Sequence, residues 1–94
     1  LPVAAFKGCK SLEEVQMPDN LKGIRETAFE ECTNLKSIQI PDTVEYIESN
    51  AFKNCVNLEE VNIPKNLKEI GEGVFEGCEK LGDVQIPDDV GIRL

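Results

Sequence analysis

Residues 51–64 read AFKNCVNLEEVNIP, a stretch holding one cysteine, Cys55, with Asn54 and Asn57 close by. A thiol in such company could be a nucleophile, a metal ligand, half of a disulfide or a small core residue. The rest of the chain bears on the choice, because it repeats the stretch. Written from Ala5 in lines of 23, the sequence aligns without gaps: AFKGCKSLEEVQMPDNLKGIRET, AFEECTNLKSIQIPDTVEYIESN, AFKNCVNLEEVNIPKNLKEIGEG and VFEGCEKLGDVQIPDDVGIRL. Four columns are invariant: Phe6/Phe29/Phe52/Phe75, Cys9/Cys32/Cys55/Cys78, Leu12/Leu35/Leu58/Leu81 and Pro18/Pro41/Pro64/Pro87. Four more stay apolar, namely Ala5/Ala28/Ala51/Val74, Val15/Ile38/Val61/Val84, Met17/Ile40/Ile63/Ile86 and Leu21/Val44/Leu67/Val90. A further column, Ile24/Ile47/Ile70, runs back to Leu1. Only Val3, Ala4, Tyr46, Val56, Ile92 and Leu94 lie outside these columns among the hydrophobic residues.

This periodicity predicts one array spanning residues 1–94, with units at 5–27, 28–50, 51–73 and 74–94. One unit has too few apolar side chains to offset the entropy of ordering it. Neighbouring units must therefore cover its faces and share its backbone hydrogen bonds, as in a solenoid. Leu1 reads as the tail of a preceding unit, and both ends lack polar caps. The sequence is thus expected to be a piece of something longer, marginally stable alone and prone to end-to-end self-association.

Each unit carries L-x-x-Φ-x-Φ-P, with Φ aliphatic: LEEVQMP, LKSIQIP, LEEVNIP and LGDVQIP. The Φ-x-Φ segment alternates with period two and reads as a short strand with one buried face. The proline, lacking an N–H, ends it. After the proline, DNLKGI or KNLKEI suits a turn and a second short extended or 3₁₀ segment. The A-F-x-x-C stretch, with Thr27 or Ser49 near its start, reads as one or two helical turns. In the last unit, DDVGIRL sets Ile92 one place early and Arg93 where an aliphatic belongs, so an irregular or frayed final turn is expected.

These motifs resemble the BspA-type, or treponemal-type, leucine-rich repeats: L-x-x-Φ-x-Φ matches the strand signature, and P-x-x-Φ-x-x-I with A-F-x-x-C at a 23-residue period matches the subclass. The likeness covers residues 1 to about 90, although the usual asparagine after the strand is absent. It implies an α/β repeat, mostly β: a right-handed solenoid with a short parallel sheet on its concave face and helical or 3₁₀ turns elsewhere. It also implies a protein-binding module of a bacterial or protist surface or secreted protein, engaged in adhesion to host or matrix components. The alternative is a spacer that holds other domains apart with no ligand of its own.

Composition agrees with a binding or structural role. Net charge is -8, from 18 acidic and 10 basic residues, which disfavours nucleic acid and anionic membranes. No stretch is long and apolar enough to span a bilayer. Histidine is absent, removing the commonest general base and metal ligand. No G-x-G-x-x-G, P-loop, G-x-S-x-G, calcium loop or N-x-[ST] sequon occurs. No catalytic residue, cofactor or metal is expected, and lysines and arginines read as scattered rather than striped.

The cysteine column is expected to pack in the interior, with a bridge between neighbours as the alternative. In-register sulfurs cannot surround one ion, and no histidine is available to activate a thiolate. On this reading Cys55→Ser costs more than Cys55→Ala, because it buries a hydroxyl. Function is expected on the outward columns flanking the buried strand residue: Glu14, Ser37, Glu60 and Asp83 on one side, Gln16, Gln39, Asn62 and Gln85 on the other. The amides could simply hydrogen-bond to one another along the stack. Adjacent acids such as Glu60 and Asp83 repel, which points to a basic or polar protein partner, with a merely solvated face as the alternative.

Overall fold

Successive units lie directly over one another in the computed structural model, which describes residues 1–93. Six short strands form: β1 (Gly23–Ile24), β2 (Ser37–Ile38), β3 (Tyr46–Ile47), β4 (Glu60–Val61), β5 (Glu69–Gly71) and β6 (Gly91–Arg93). All pairing is parallel, and equivalent residues meet: Ile24 faces Ile47, which faces Ile70, while Ser37 faces Glu60 and Ile38 faces Val61. The aliphatic columns point inward. Phe29, Phe52, Ile24, Leu35, Ile40, Ile47, Leu58 and Val44 are fully buried, and no polar side chain is buried among the described residues. The four phenylalanine rings stack in one file, with centroids 5.3, 5.2 and 5.8 Å apart.

The division of strands departs from the sequence expectation. The Φ-x-Φ segments pair only in the two middle units, as β2–β4, whereas the segment after the proline builds a four-stranded sheet in the order β1-β3-β5-β6. In the first unit the ladder begins, with Lys36 N–H donating to Glu13 O at 3.2 Å, but is not assigned as a strand. In the last unit Gly82 occupies the place of Glu13, Lys36 and Glu59 with φ +70°. That left-handed turn swings the chain out of the ladder just before Asp83.

Neither α-helix nor 3₁₀-helix forms among the described residues, correcting the expected helical turns over A-F-x-x-C. The reason lies in the backbone. Ala4, Thr27, Asn50 and Gly73, and again Gly8, Glu31, Asn54 and Gly77, all have φ between 57° and 75°. A left-handed residue every fourth position breaks the segment into isolated turns. The freed amides reach the next coil instead: Thr27, Phe29 and Glu31 N–H donate to Ser49, Ala51 and Lys53 O at 3.1, 2.7 and 2.8 Å. Asn50, Phe52 and Asn54 repeat this toward Glu72, Val74 and Glu76 at 3.0, 3.0 and 2.7 Å. Thr27 caps no helix; its Oγ1 donates to Glu26 O. Each coil is therefore tied to the next along a third line, which strand assignment alone does not reveal.

The final turn is irregular, as expected, but it stays paired rather than frayed. Val90 keeps its column and is buried, and the chain then shortens by one residue, so that Gly91 pairs with Glu69 and Ile92 with Ile70. Leu1 behaves as the tail of a unit: its carbonyl accepts from Arg25 N–H and its amino group donates to Gly23 O.

Candidate functional site

The face carrying β2 and β4 holds all eight positions singled out from the sequence. Glu14, Gln16, Ser37, Gln39, Glu60, Asp83 and Gln85 are exposed, and Asn62 is half-buried. The in-register pairing sets Ser37 one coil from Glu60, and grooves bring Gln16 beside Gln39 and Asp83 and Gln85 beside Glu60. Two shallow grooves run between coils. One, of about 230 Å³, is lined by Ser37, Gln39, Glu60 and Asn62 with Ile38 and Val61 beneath. The other, of about 460 Å³, brings Glu59, Glu60, Asp83 and Gln85 together over Val61, Ile63, Leu81 and Val84.

The amide column does not bond to itself among the described residues. Asn62 turns back to the preceding coil, where its Oδ1 accepts from Ile40 N–H at 2.6 Å and its Nδ2 donates to Ile40 O at 2.8 Å. The side chain thus satisfies a backbone that Pro64 prevents from continuing as a strand. Gln16, Gln39 and Gln85 are left facing solvent.

Charge on the surrounding columns follows a rule that the sequence reading missed. Lysine and glutamate alternate along three files, so that no two bases stack on each other there. Lys7, Glu30, Lys53 and Glu76 alternate along one file, with 4.0 Å between Lys7 and Glu30 and 3.2 Å between Lys53 and Glu76. Glu45 lies between Lys22 and Lys68 at 4.0 and 3.7 Å, and Lys36 sits 4.0 Å from Glu13. Each exposed pair is worth little, about 0–1 kcal/mol. Alternation nevertheless removes the repulsion that stacking identical charges would create. The files Glu14, Ser37, Glu60, Asp83 and Glu26, Ser49, Glu72 break this rule, as do Asp19 and Asp42. Asp42, however, serves the backbone, since its Oδ1 accepts from Lys65 N–H and its carbonyl from Asn66 Nδ2. The signal was present in the aligned units and needed only the columns to be read for sign.

A groove of about 250 Å³ crosses the four-stranded sheet, lined by Tyr46, Glu48, Ser49, Glu69, Gly71 and Arg93 among others. Tyr46 belongs to no sequence column and covers Gly23, where a Cβ would come within 2.1 Å of its ring. Two of the three carboxylates lining this groove are engaged: Glu48 accepts from Arg25 Nε at 3.2 Å and Glu69 pairs with Arg93 at 3.3 Å.

The cysteines are free thiols. Cys32, Cys55 and Cys78 are buried, and each donates to the phenylalanine carbonyl of the preceding coil: Phe6, Phe29 and Phe52 at 3.2, 3.1 and 3.1 Å. Burial pushes the Cys32 thiol up to about 11, and contact with the Cys78 thiol together with burial pushes Cys55 up as well. Thiols raised in this way, as at Cys32 and Cys55, are poor nucleophiles. Cys9 departs from the packing expectation: it is exposed, having no preceding coil.

Comparison with known proteins agrees with this geometry. The chain is similar to a solved leucine-rich repeat protein of T. pallidum, at 38% identity and a TM-score of 0.90 over 97% of this chain and 42% of that one. It is also similar to a leucine-rich repeat protein from Bacteroides ovatus, at 45% identity and a TM-score of 0.81, over 83% of this chain and 20% of that one. A leucine rich cell surface protein from Faecalibacterium prausnitzii shows 30% identity and a TM-score of 0.82, over 97% and 22% respectively. The chain thus spans less than half the length of these structures. A search of curated proteins found no match. The sequence profile of the BspA type leucine rich repeat region matches residues 1–92 in six copies, and such repeats are generally non-enzymatic scaffolds. The chain belongs to the BspA-type leucine-rich repeat family.

Proposed function

We propose that this repeat array is a protein-binding module of a surface or secreted protein, and that it engages a basic or polar protein partner through the acidic and amide-rich face of β2 and β4. One observation carries this reading. Three outward files alternate in sign and pair across coils, whereas Glu14, Glu60 and Asp83 are acidic with no base in their file, and Glu60 and Asp83 share one groove. Like charges brought together cost stability, so the acids gathered in that groove are best accounted for by a basic partner. The exposed Gln16, Gln39 and Gln85 offer both donors and acceptors beside it. Such a face suits adhesion to a host or matrix protein, and the similarity to a bacterial cell surface protein favours an extracellular setting.

A spacer role is the second reading. It draws on the three lines of inter-coil bonding, which hold the array as one stiff stack.

Immobilised fibronectin, laminin and collagen, tested against residues 1–94 and a Glu14→Lys, Glu60→Lys, Asp83→Lys variant, separate the two. Binding is expected to one or more of these proteins and to be lost in the variant, with circular dichroism unchanged. Capture that survives the triple reversal, or no capture by the original chain, favours the spacer.

A further inference from the structure

The ladder that joins the coils on the β2–β4 face is interrupted at one place inside the stack, between the coil of residues 51–73 and the coil that follows it. At the two earlier junctions one backbone bond recurs: Lys36 N–H donates to Glu13 O at 3.2 Å, and Glu59 N–H to Lys36 O at 2.8 Å. The next member of that series is Gly82 N–H to Glu59 O, and it is not made. Among the described residues no backbone bond joins 59–63 to 82–86, and no strand pairing continues from β4 to Asp83 and Val84. Gly82 is the cause. Its φ of +70° turns the chain away, and a Cβ there would meet nothing within 4 Å, so the glycine serves the turn and not a close approach. The edge that β2 uses to bind β4 is therefore repeated on β4 and left unpaired.

The opening this leaves has room and a lining of two kinds. Its groove measures about 460 Å³, against about 220 and 230 Å³ at the two earlier junctions. The floor is aliphatic. Val61, Leu81 and Val84 are half-buried there, whereas Leu35, Ile38 and Leu58 of the same columns are buried. The rim is acidic: Glu59, Glu60 and Asp83 line it with no base beside them, and none of the three has an ion-pair partner among the described residues. A further bond is missing at the same place. Asn62 closes the preceding junction by bonding both backbone groups of Ile40, but Gln85 makes no such bond to Ile63 among the described residues.

We infer that an extended segment of a protein partner, alternating aliphatic and basic residues, enters this opening and adds to β4 as the next strand of its sheet. An unpaired strand edge is a ready template for such addition. Main-chain hydrogen bonds to the edge supply the affinity, and side chains at alternate positions supply the choice of sequence. Those facing inward lie on Val61, Leu81 and Val84 and are aliphatic. Those facing outward stand beside Glu60 and Asp83 and are basic. The inference deepens the partner reading given above and rests on it for the sign of the partner's charge, whereas pairing to β4 is a separate requirement.

The probe is the peptide acetyl-VKVKV-amide, titrated into residues 1–94 by isothermal calorimetry beside two relatives, one N-methylated at its valines and one at its lysines. All three carry the same charge and the same side chains, but each methylated form loses the donors of one strand edge. Saturable one-to-one binding of the parent peptide is expected, with one methylated form at least tenfold weaker than the other. Binding is expected to be lost in a Glu60→Lys, Asp83→Lys variant whose circular dichroism is unchanged. No binding of the parent peptide overturns the inference. Equal binding by the two methylated forms overturns it too, and if the lysine variant still loses the peptide, the acidic-face reading stands without the added strand. Peptide held equally by the lysine variant overturns both.

Discussion

The Sγ of Cys55 donates to the carbonyl oxygen of Phe29, one coil earlier, at 3.1 Å. That oxygen already accepts from Cys32 N–H at 3.1 Å, so the thiol adds a second bond at the point where two coils meet. Cysteine is thus kept for a donor as well as for its size. Alanine at 55 loses only the added bond and a little volume, a cost of about 1–2 kcal/mol. The sequence reading ranks serine below alanine, but a waiting acceptor changes that order. Cys55→Ser is expected to be no less stable than Cys55→Ala in urea unfolding; a clearly weaker serine variant would show that the carbonyl is out of a hydroxyl's reach.

The same burial sets a pH limit. The Cys32 thiol titrates near 11 when folded and near 9 when exposed. Its folded value is raised, so its contribution to stability is fully present below pH 9 and declines as pH rises toward 11. Unfolding free energy is therefore expected to fall across that window, and to fall less in Cys32→Ala. At neutral pH, N-ethylmaleimide should label Cys9 in the dilute native chain and the other three only after unfolding, which intact-mass measurement reads directly.

Phe52 lies between Phe29 at 5.2 Å and Phe75 at 5.8 Å, and is fully buried. Its replacement by alanine opens a cavity inside the ring file and is expected to cost about 3–5 kcal/mol. Phe6 is half-buried with one ring neighbour, so Phe6→Ala should cost markedly less. Equal losses in chemical denaturation would mean that the file does not act as one stack.

Gly71 in β5 allows two backbones to approach: a Cβ there would stand 2.4 Å from Ser49 N and 2.8 Å from Glu48 C. Neither atom can rotate away. Gly71→Ala is expected to cost about 1–3 kcal/mol through this overlap. At Gly8 a Cβ meets nothing within 4 Å, but φ is +73°, leaving only the left-handed penalty of about 1–2 kcal/mol. The two melting temperatures should fall in that order.

Sign alternation makes the two kinds of outward file behave oppositely. Lys53→Glu replaces the partner of Glu76 with a like charge and should lower stability by up to about 1 kcal/mol, less at high salt. Glu60→Lys relieves a like-charge neighbour, Asp83, in the groove they share, and should leave stability unchanged or slightly raised while weakening partner capture. A destabilised Glu60→Lys would mean that the acid supports the fold after all.

Which side chains face the interior was legible in the sequence alone. A strict 23-residue translation puts each residue in the environment of its equivalent, so the columns of Phe29, Leu35, Ile38 and Ile47 could be assigned to the core before any strand was placed. The outward placement of Glu14, Ser37, Glu60 and Asp83 followed from the alternation around Val61. Only the tertiary structure decided how the backbone is satisfied. Ala4, Thr27 and Glu31 give no local sign of a left-handed φ, yet that conformation replaces the expected helical turns with bonds to the next coil. Gly82 and Pro64 shift the longer sheet to the segment after the proline, and the closing of the chain after Val90 restores Ile92 to its register. Side-chain periodicity records what each position touches on average, whereas hydrogen-bond direction depends on two coils meeting. That is why the interior could be read from the sequence, and why the turns and the cysteine donors could not.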